Sequence, residues 1–134
     1  MLFYKHSLQT GKSVEFVEIT SKVKKTVQNS GIKEGLCTVY IPHTTAAVTI
    51  NEAADPAVVI DIISEINKVI PLHDNYKHLE GNSSAHIKSS LFGISIQVPI
   101  TNGNLALGTW QGIYFCEFDG PRHRSFFIQL IGSK

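Results

Sequence analysis

Between residues 78 and 88 the chain reads His78-Leu79-Glu80-Gly81-Asn82-Ser83-Ser84-Ala85-His86-Ile87-Lys88, which gathers two imidazoles, a carboxylate and an amine into a short stretch. Asn82 or Ser83 is suited to cap a helix and Gly93 to close it, which predicts a short helix over Ser83 to Phe92 with His86 in its first turn. There the positive end of the helix dipole disfavours imidazolium and leaves the neutral ring that a metal needs. His43, at the end of a predicted strand, and His78, in a polar loop, occupy two other places from which side chains converge. Together with water, His43, His78 and His86 would make a zinc-type centre with an open position. No HxxxH or HExxH spacing supports that centre, so hydrogen-bonded surface or interface histidines are the competing reading.

Among the carboxylates, Asp55 has a structural role as the cap of a helix that starts at Pro56. Glu52 has no such role, so it is a candidate partner of a histidine, magnesium ligand or general base. Arg122 and Arg124, the only arginines, flank His123, and a guanidinium fork matches phosphate or carboxylate. With Asn82, Ser83, Ser84 and Lys88 they are expected to build a pocket for an anionic ligand, or else to bridge subunits. Trp110, between Gly108 and Gly112, either lines a ligand ring or fills a core or interface. No Walker-type loop, GxGxxG or GxSxG occurs. Cys37 and Cys116 sit in separate apolar runs and read as buried, reduced thiols, although a single disulfide stays open from sequence.

These residues need a frame. Phe3 to Thr10 and Ser13 to Thr20 read as a hairpin about Gly11-Lys12, followed by a helix carrying Val23 and Val27 and ending near Gly31. Leu36 to Ile41 and Ala46 to Ile50 are strands with His43 between them. Val59, Ile62, Ile63, Ile66, Val69 and Ile70 recur at helical spacing after Asp55-Pro56, predicting a helix that lies against a sheet and stops at Pro71. Strands near Ser95 to Ile100 and Leu105 to Trp110 flank Asn102-Gly103, a hairpin signal, and two more run from Gly112 to Phe118 and Ser125 to Ile131. About eight strands and three helices, without strict βαβ alternation, give an α+β class: a β-rich two-layer sheet or sandwich, mostly antiparallel, with the helices packed on it. With no linker or repeat, residues 1–134 read as one domain.

A net charge of +1 without a basic run argues against nucleic acid or a membrane as the partner. No run of about 20 apolar residues suggests a membrane span, so a cytoplasmic protein is expected. A charged fraction of 17% suggests that a partner covers part of the surface.

Four stretches together resemble the YjbQ family, also called secondary thiamine-phosphate synthase enzymes. They are Pro42-His43-Thr44-Thr45-Ala46-Ala47 with Asn51-Glu52 and Asp55-Pro56; Gly81-Asn82 with Ala85-His86-Ile87-Lys88; Leu107 to Ile113; and Cys116 to Arg122. The resemblance spans almost the whole chain. It implies a β-rich homotrimer and puts His43, Glu52, Asp55, His78, Asn82, His86, Lys88, Glu117 and Arg122 in motif positions. It also implies thiamine-phosphate synthase activity, joining an aminopyrimidine diphosphate to a thiazole phosphate with loss of pyrophosphate. The expectation is therefore a metal-assisted transferase for a phosphorylated small molecule. His43, His78 and His86 would hold zinc or magnesium; Glu52, His86 and Lys88 would be catalytic; and Asn82, Lys88, Trp110 and Arg122 would bind substrate. A metal-dependent hydrolase and a non-enzymatic metal- or anion-binding trimer are the alternatives.

Overall fold

In the computed structural model, which describes residues 2–134, the strands divide between two antiparallel sheets. The larger has the order β1 (Leu2–Gln9), β8 (His123–Ser133), β3 (Glu34–Tyr40), β5 (Ser95–Thr101) and β6 (Asn104–Leu105). The smaller has the order β2 (Glu15–Glu18), β7 (Gln111–Glu117) and β4 (Ala46–Glu52). Three helices complete the fold: α1 (Thr20–Ser30), α2 (Pro56–Val69) and α3 (Ser83–Phe92). The α+β, mostly antiparallel two-sheet architecture is the one expected.

The core follows from strand periodicity. In β8 the alternate residues Arg124, Phe126, Ile128 and Leu130 are buried, and the three apolar ones meet Cys37 and Val39 of β3 and Val48, Ile113 and Phe115 of the smaller sheet. Full burial of an aromatic or aliphatic side chain of this size contributes about 1.5–3 kcal/mol. Strand β7 does not alternate, because both of its faces are covered: Tyr114 and Cys116 turn outward into a second cluster with Ala47, Ala85 and Phe118. That outer cluster seats α3, whose Ser89 hydroxyl donates to the Ala46 carbonyl at 2.6 Å. Burial keeps both cysteines as thiols, pushing Cys37 up to about 12 and Cys116 higher still.

Three expectations are corrected. The N-terminal segments do not form a hairpin: β1 pairs with β8 in the larger sheet, and β2 with β7 in the smaller. The strand expected over Leu105 to Trp110 shrinks to Asn104–Leu105, although the Asn102-Gly103 turn is present with φ of 51° and 78°. Helix α2 is where its pattern put it, with Asp55 accepting from the Ala57 amide at 2.9 Å, but it lies only loosely against the smaller sheet: Val59 packs on the outer cluster, while Ile62, Ile63 and Ile66 are half-buried. None of its residues is buried, and Ile60 is 64% exposed.

One topological feature positions the site. The β1–β2, β3–β4 and β7–β8 connections all pass between the two sheets, and they come together. The Thr10 amide donates to the Arg122 carbonyl at 2.9 Å, the Gly120 amide to Ser13 at 3.0 Å, and the Phe118 amide to Thr45 at 3.2 Å. Gly120 lies so close to this junction that a Cβ there would stand 2.3 Å from the Lys12 carbonyl oxygen. Among the described residues, no helix is long and apolar enough to cross a membrane.

Candidate functional site

The junction of the sheet-crossing connections is held by one buried ion pair. Glu117, fully buried at the end of β7, receives Nε of Arg124 at 2.8 Å and a terminal guanidinium nitrogen at 2.5 Å. The Thr10 hydroxyl at 2.8 Å and the Asp119 amide at 2.9 Å also donate to this carboxylate. Arg124 donates onward to the Thr45 hydroxyl at 2.9 Å. One carboxylate and one guanidinium thus tie the three connections together, which is how a charged pair is tolerated at this depth. Burial pushes the Glu117 carboxyl up, but the hydrogen bonds from Arg124, Asp119 and Thr10 outweigh it and hold the group below the usual range.

A cleft of about 800 Å³ opens over this pair. Its walls bring together His43 from the β3–β4 connection, His78 from the α2–α3 loop, Asn82 just before α3 and His86 within it, and Arg122 from the β7–β8 connection. Asn82 and His86 share a face because they stand four residues apart. The His78 and His86 rings lie edge to face, their centroids 5.3 Å apart, and Nε2 of His78 is 3.9 Å from the Glu80 carboxylate. Asp119 organises the opposite wall: one carboxylate oxygen accepts from the Asn82 amide group at 2.9 Å and from Arg122 at 2.9 Å, while its carbonyl accepts from Nε of Arg122 at 2.7 Å. Arg122 is thereby aimed, although its guanidinium stays half exposed. The Asn82 Oδ1 is left buried with no partner. Asn82 occupies the position before α3 as expected, but its side chain does not cap the helix and is turned to Asp119 instead.

His43 serves the scaffold. Its Nε2 stands 3.0 Å from both the amide nitrogen and the carbonyl oxygen of Ser125, so either tautomer finds a backbone partner where β8 extends beyond the end of β3. Burial, with the Arg124 charge second, pulls its pKa down and favours the neutral ring. The three predicted imidazoles therefore share a cleft without forming a ligand shell. Among the described residues, no three His, Cys, Asp or Glu side chains are grouped as a metal would need.

Three predicted site residues lie elsewhere. Lys88, two positions beyond His86, points off another face of α3 into a separate pocket. Glu52, at the end of β4, accepts from the Asp55 amide at 3.2 Å, and its carbonyl receives the Tyr114 hydroxyl at 3.1 Å. Trp110 is 63% exposed in the turn before β7, and its carbonyl receives the Ala53 amide. Neither residue lines the cleft. What the sequence reading passed over is the partnership of Glu117 with Arg124 and the role of Asp119. The resemblance put Glu117 in a motif position, but no local signal in the sequence pairs it with Arg124 or gives Asp119 a role.

Comparison with known proteins gives a consistent picture. A family model described as UPF0047 protein YjbQ-like matches residues 4–133. The UPF0047 protein of Methanocaldococcus jannaschii is 50% identical over 99% of this chain and 96% of its own length, and YugU of Bacillus subtilis is 49% identical over 93% and 96%. A crystal structure of a YjbQ/UPF0047 family protein from Clostridium acetobutylicum superposes with a TM-score of 0.94 at 55% identity, covering 96% of this chain and 99% of that one. A YbjQ-like protein of Sulfolobus solfataricus gives 0.95 at 32% identity, covering 98% and 97%.

Proposed function

The chain belongs to the YjbQ-like UPF0047 family, and from that premise we propose that the histidine cleft binds a phosphorylated small molecule and transfers a group from it, with thiamine-phosphate synthase activity as the specific reaction. The observation that carries this reading is the presence in one cleft of an aimed but half-exposed Arg122 and the His78–His86 pair. Arg122 suits a phosphate. In the proposed reaction the methylene carbon–oxygen bond breaks and its electron pair leaves on pyrophosphate, while the thiazole ring nitrogen supplies the pair for the new carbon–nitrogen bond. Arg122 would hold the departing charge, and an imidazole N–H from His78 or His86 would hydrogen-bond the leaving oxygen. No step is routed through zinc or magnesium, because the donor groups do not form a ready shell.

The test is pyrophosphate release from the two phosphorylated precursors by the purified protein, with Arg122→Ala and His86→Ala expected to lower kcat/KM by about 10²-fold or more. Absence of both binding and turnover would remove the reading. Metal analysis of the wild type and of His86→Ala decides separately whether an ion accompanies the cleft.

A second reading, a non-enzymatic anion-binding homotrimer, is favoured by the engagement of Glu52 at the start of α2, outside the cleft. It leaves no carboxylate base beyond Glu80 and Asp119 at the cleft walls. On that reading Glu52→Gln leaves ligand affinity unchanged. Assembly into a homotrimer is common to both readings and is supported by the unburied apolar helix α2.

A further inference from the structure

We propose that the pocket between α2, α3 and the β1–β2 connection is a second site, separate from the histidine cleft, for a small organic carboxylate with an apolar body, anchored by the Lys88 ammonium. Ser84 and Lys88 stand four residues apart on α3 and share a face, while Asn82 and His86 share another, so the helix presents one stripe to each cavity. The second cavity measures about 510 Å³, within the range of small-molecule sites.

Lys88 is only 4% exposed, yet among the described residues no carboxylate pairs with it. Its ammonium donates to the Asn67 side-chain oxygen and lies 5.9 Å from the centre of the Phe118 ring. An ammonium carries three N–H donors, and a single neutral acceptor with an aromatic face does not compensate a charge taken out of water. Burial accordingly pulls the Lys88 pKa down, with no acidic neighbour to restore it. The missing partner is an anion, and the cavity has room for one. Lys12 and Ser13, both exposed, and the buried Ser84 line the same cavity. Val14, Ile63, Leu72 and Phe118 supply apolar walls. One buried cation matches one negative charge, and the walls match a hydrocarbon body; a phosphate dianion would set much of its charge against apolar surface.

The experiment is a methyl-detected NMR titration of the intact protein with benzoate and with hexanoate. The expected result is saturable shifts at Val14, Ile63 and Leu72 with Kd near or below about 1 mM, unchanged in Arg122→Ala. Lys88→Met should weaken binding by about 10- to 100-fold, the span a lost charge-assisted hydrogen bond commands, and Lys12→Ala by less. The wild-type shift map needs no variant, so a misfolded Lys88→Met protein does not spare the proposal. It is overturned if neither carboxylate gives saturable shifts at those methyls, if the shifts fall on the histidine cleft instead, or if folded Lys88→Met binds as tightly as wild type.

Discussion

Glu117 and Arg124 hold the cleft from beneath, and each is dangerous to the fold without the other. Removing one partner of a buried pair leaves an uncompensated charge, so Arg124→Met is expected to cost about 3–5 kcal/mol in denaturant unfolding. Glu117→Gln, which keeps the shape, should cost less than Glu117→Ala. Because the folded Glu117 carboxyl is held below its ordinary 4.5, its contribution is complete above that value and is lost as the pH falls through the folded pKa. His43 acts in a higher window. Its pKa in the folded chain lies below 6.5, so the unfolded chain takes up the proton first and stability drops as the pH falls below about 6.5. Thermal melts between pH 7.5 and 5 should show that slope, and His43→Gln should flatten it, with the remainder due to His6, whose pKa is lowered in the same sense.

At the scale of elements, what was legible was whatever local chemistry decides. Asp55-Pro56 fixed the start of α2, Gly31 in the left-handed region closed α1, and Asn102-Gly103 turned the chain between β5 and β6. What local chemistry does not decide is pairing. Gly11-Lys12 looks like a hairpin turn, yet the strands on either side find their partners more than 90 residues away, where β8 and β7 offer longer apolar faces than they offer each other. The candidate site was legible in the same partial way. His43, His78, His86, Asn82 and Arg122 converge as the motifs suggested, whereas Lys88 and Glu52 are turned elsewhere by helix periodicity and by a local cap. The junction of crossing connections gives an element-scale prediction. Gly120→Ala would drive a methyl into the Lys12 carbonyl and the Glu117 and Thr10 side chains, so it should destabilise by about 1–3 kcal/mol and loosen the cleft. Thermal denaturation reads the first effect. Proteolytic cutting in the β7–β8 connection reads the second, and a variant as stable as wild type would remove this account of Gly120.

For the whole molecule, α2 is the element that the isolated chain leaves unexplained. A helix carrying two valines and three isoleucines at helical spacing, with no residue buried, exposes apolar surface that a monomer in water has no reason to keep. Ile60 and Val69 are each about two-thirds exposed, and Leu79, Leu91 and Trp110 add further apolar surface. The low charged fraction points the same way, since a face covered in the assembly needs no charges to stay soluble. The proposed homotrimer is tested by sedimentation equilibrium, in which it gives about three times the chain mass of 14.8 kDa. Val69→Glu places a carboxylate on that face and should shift the protein towards monomer at micromolar concentration, whereas Ile60→Glu, half a turn round the helix from it, tests the opposite face; circular dichroism should stay unchanged in both. A monomeric variant also separates the two cavities from the assembly. If the histidine cleft is complete within one chain, phosphate binding survives dissociation; if a neighbour supplies a missing wall, it falls with the proposed assembly, and Trp110 or Glu52 of a second copy becomes the residue to mutate next.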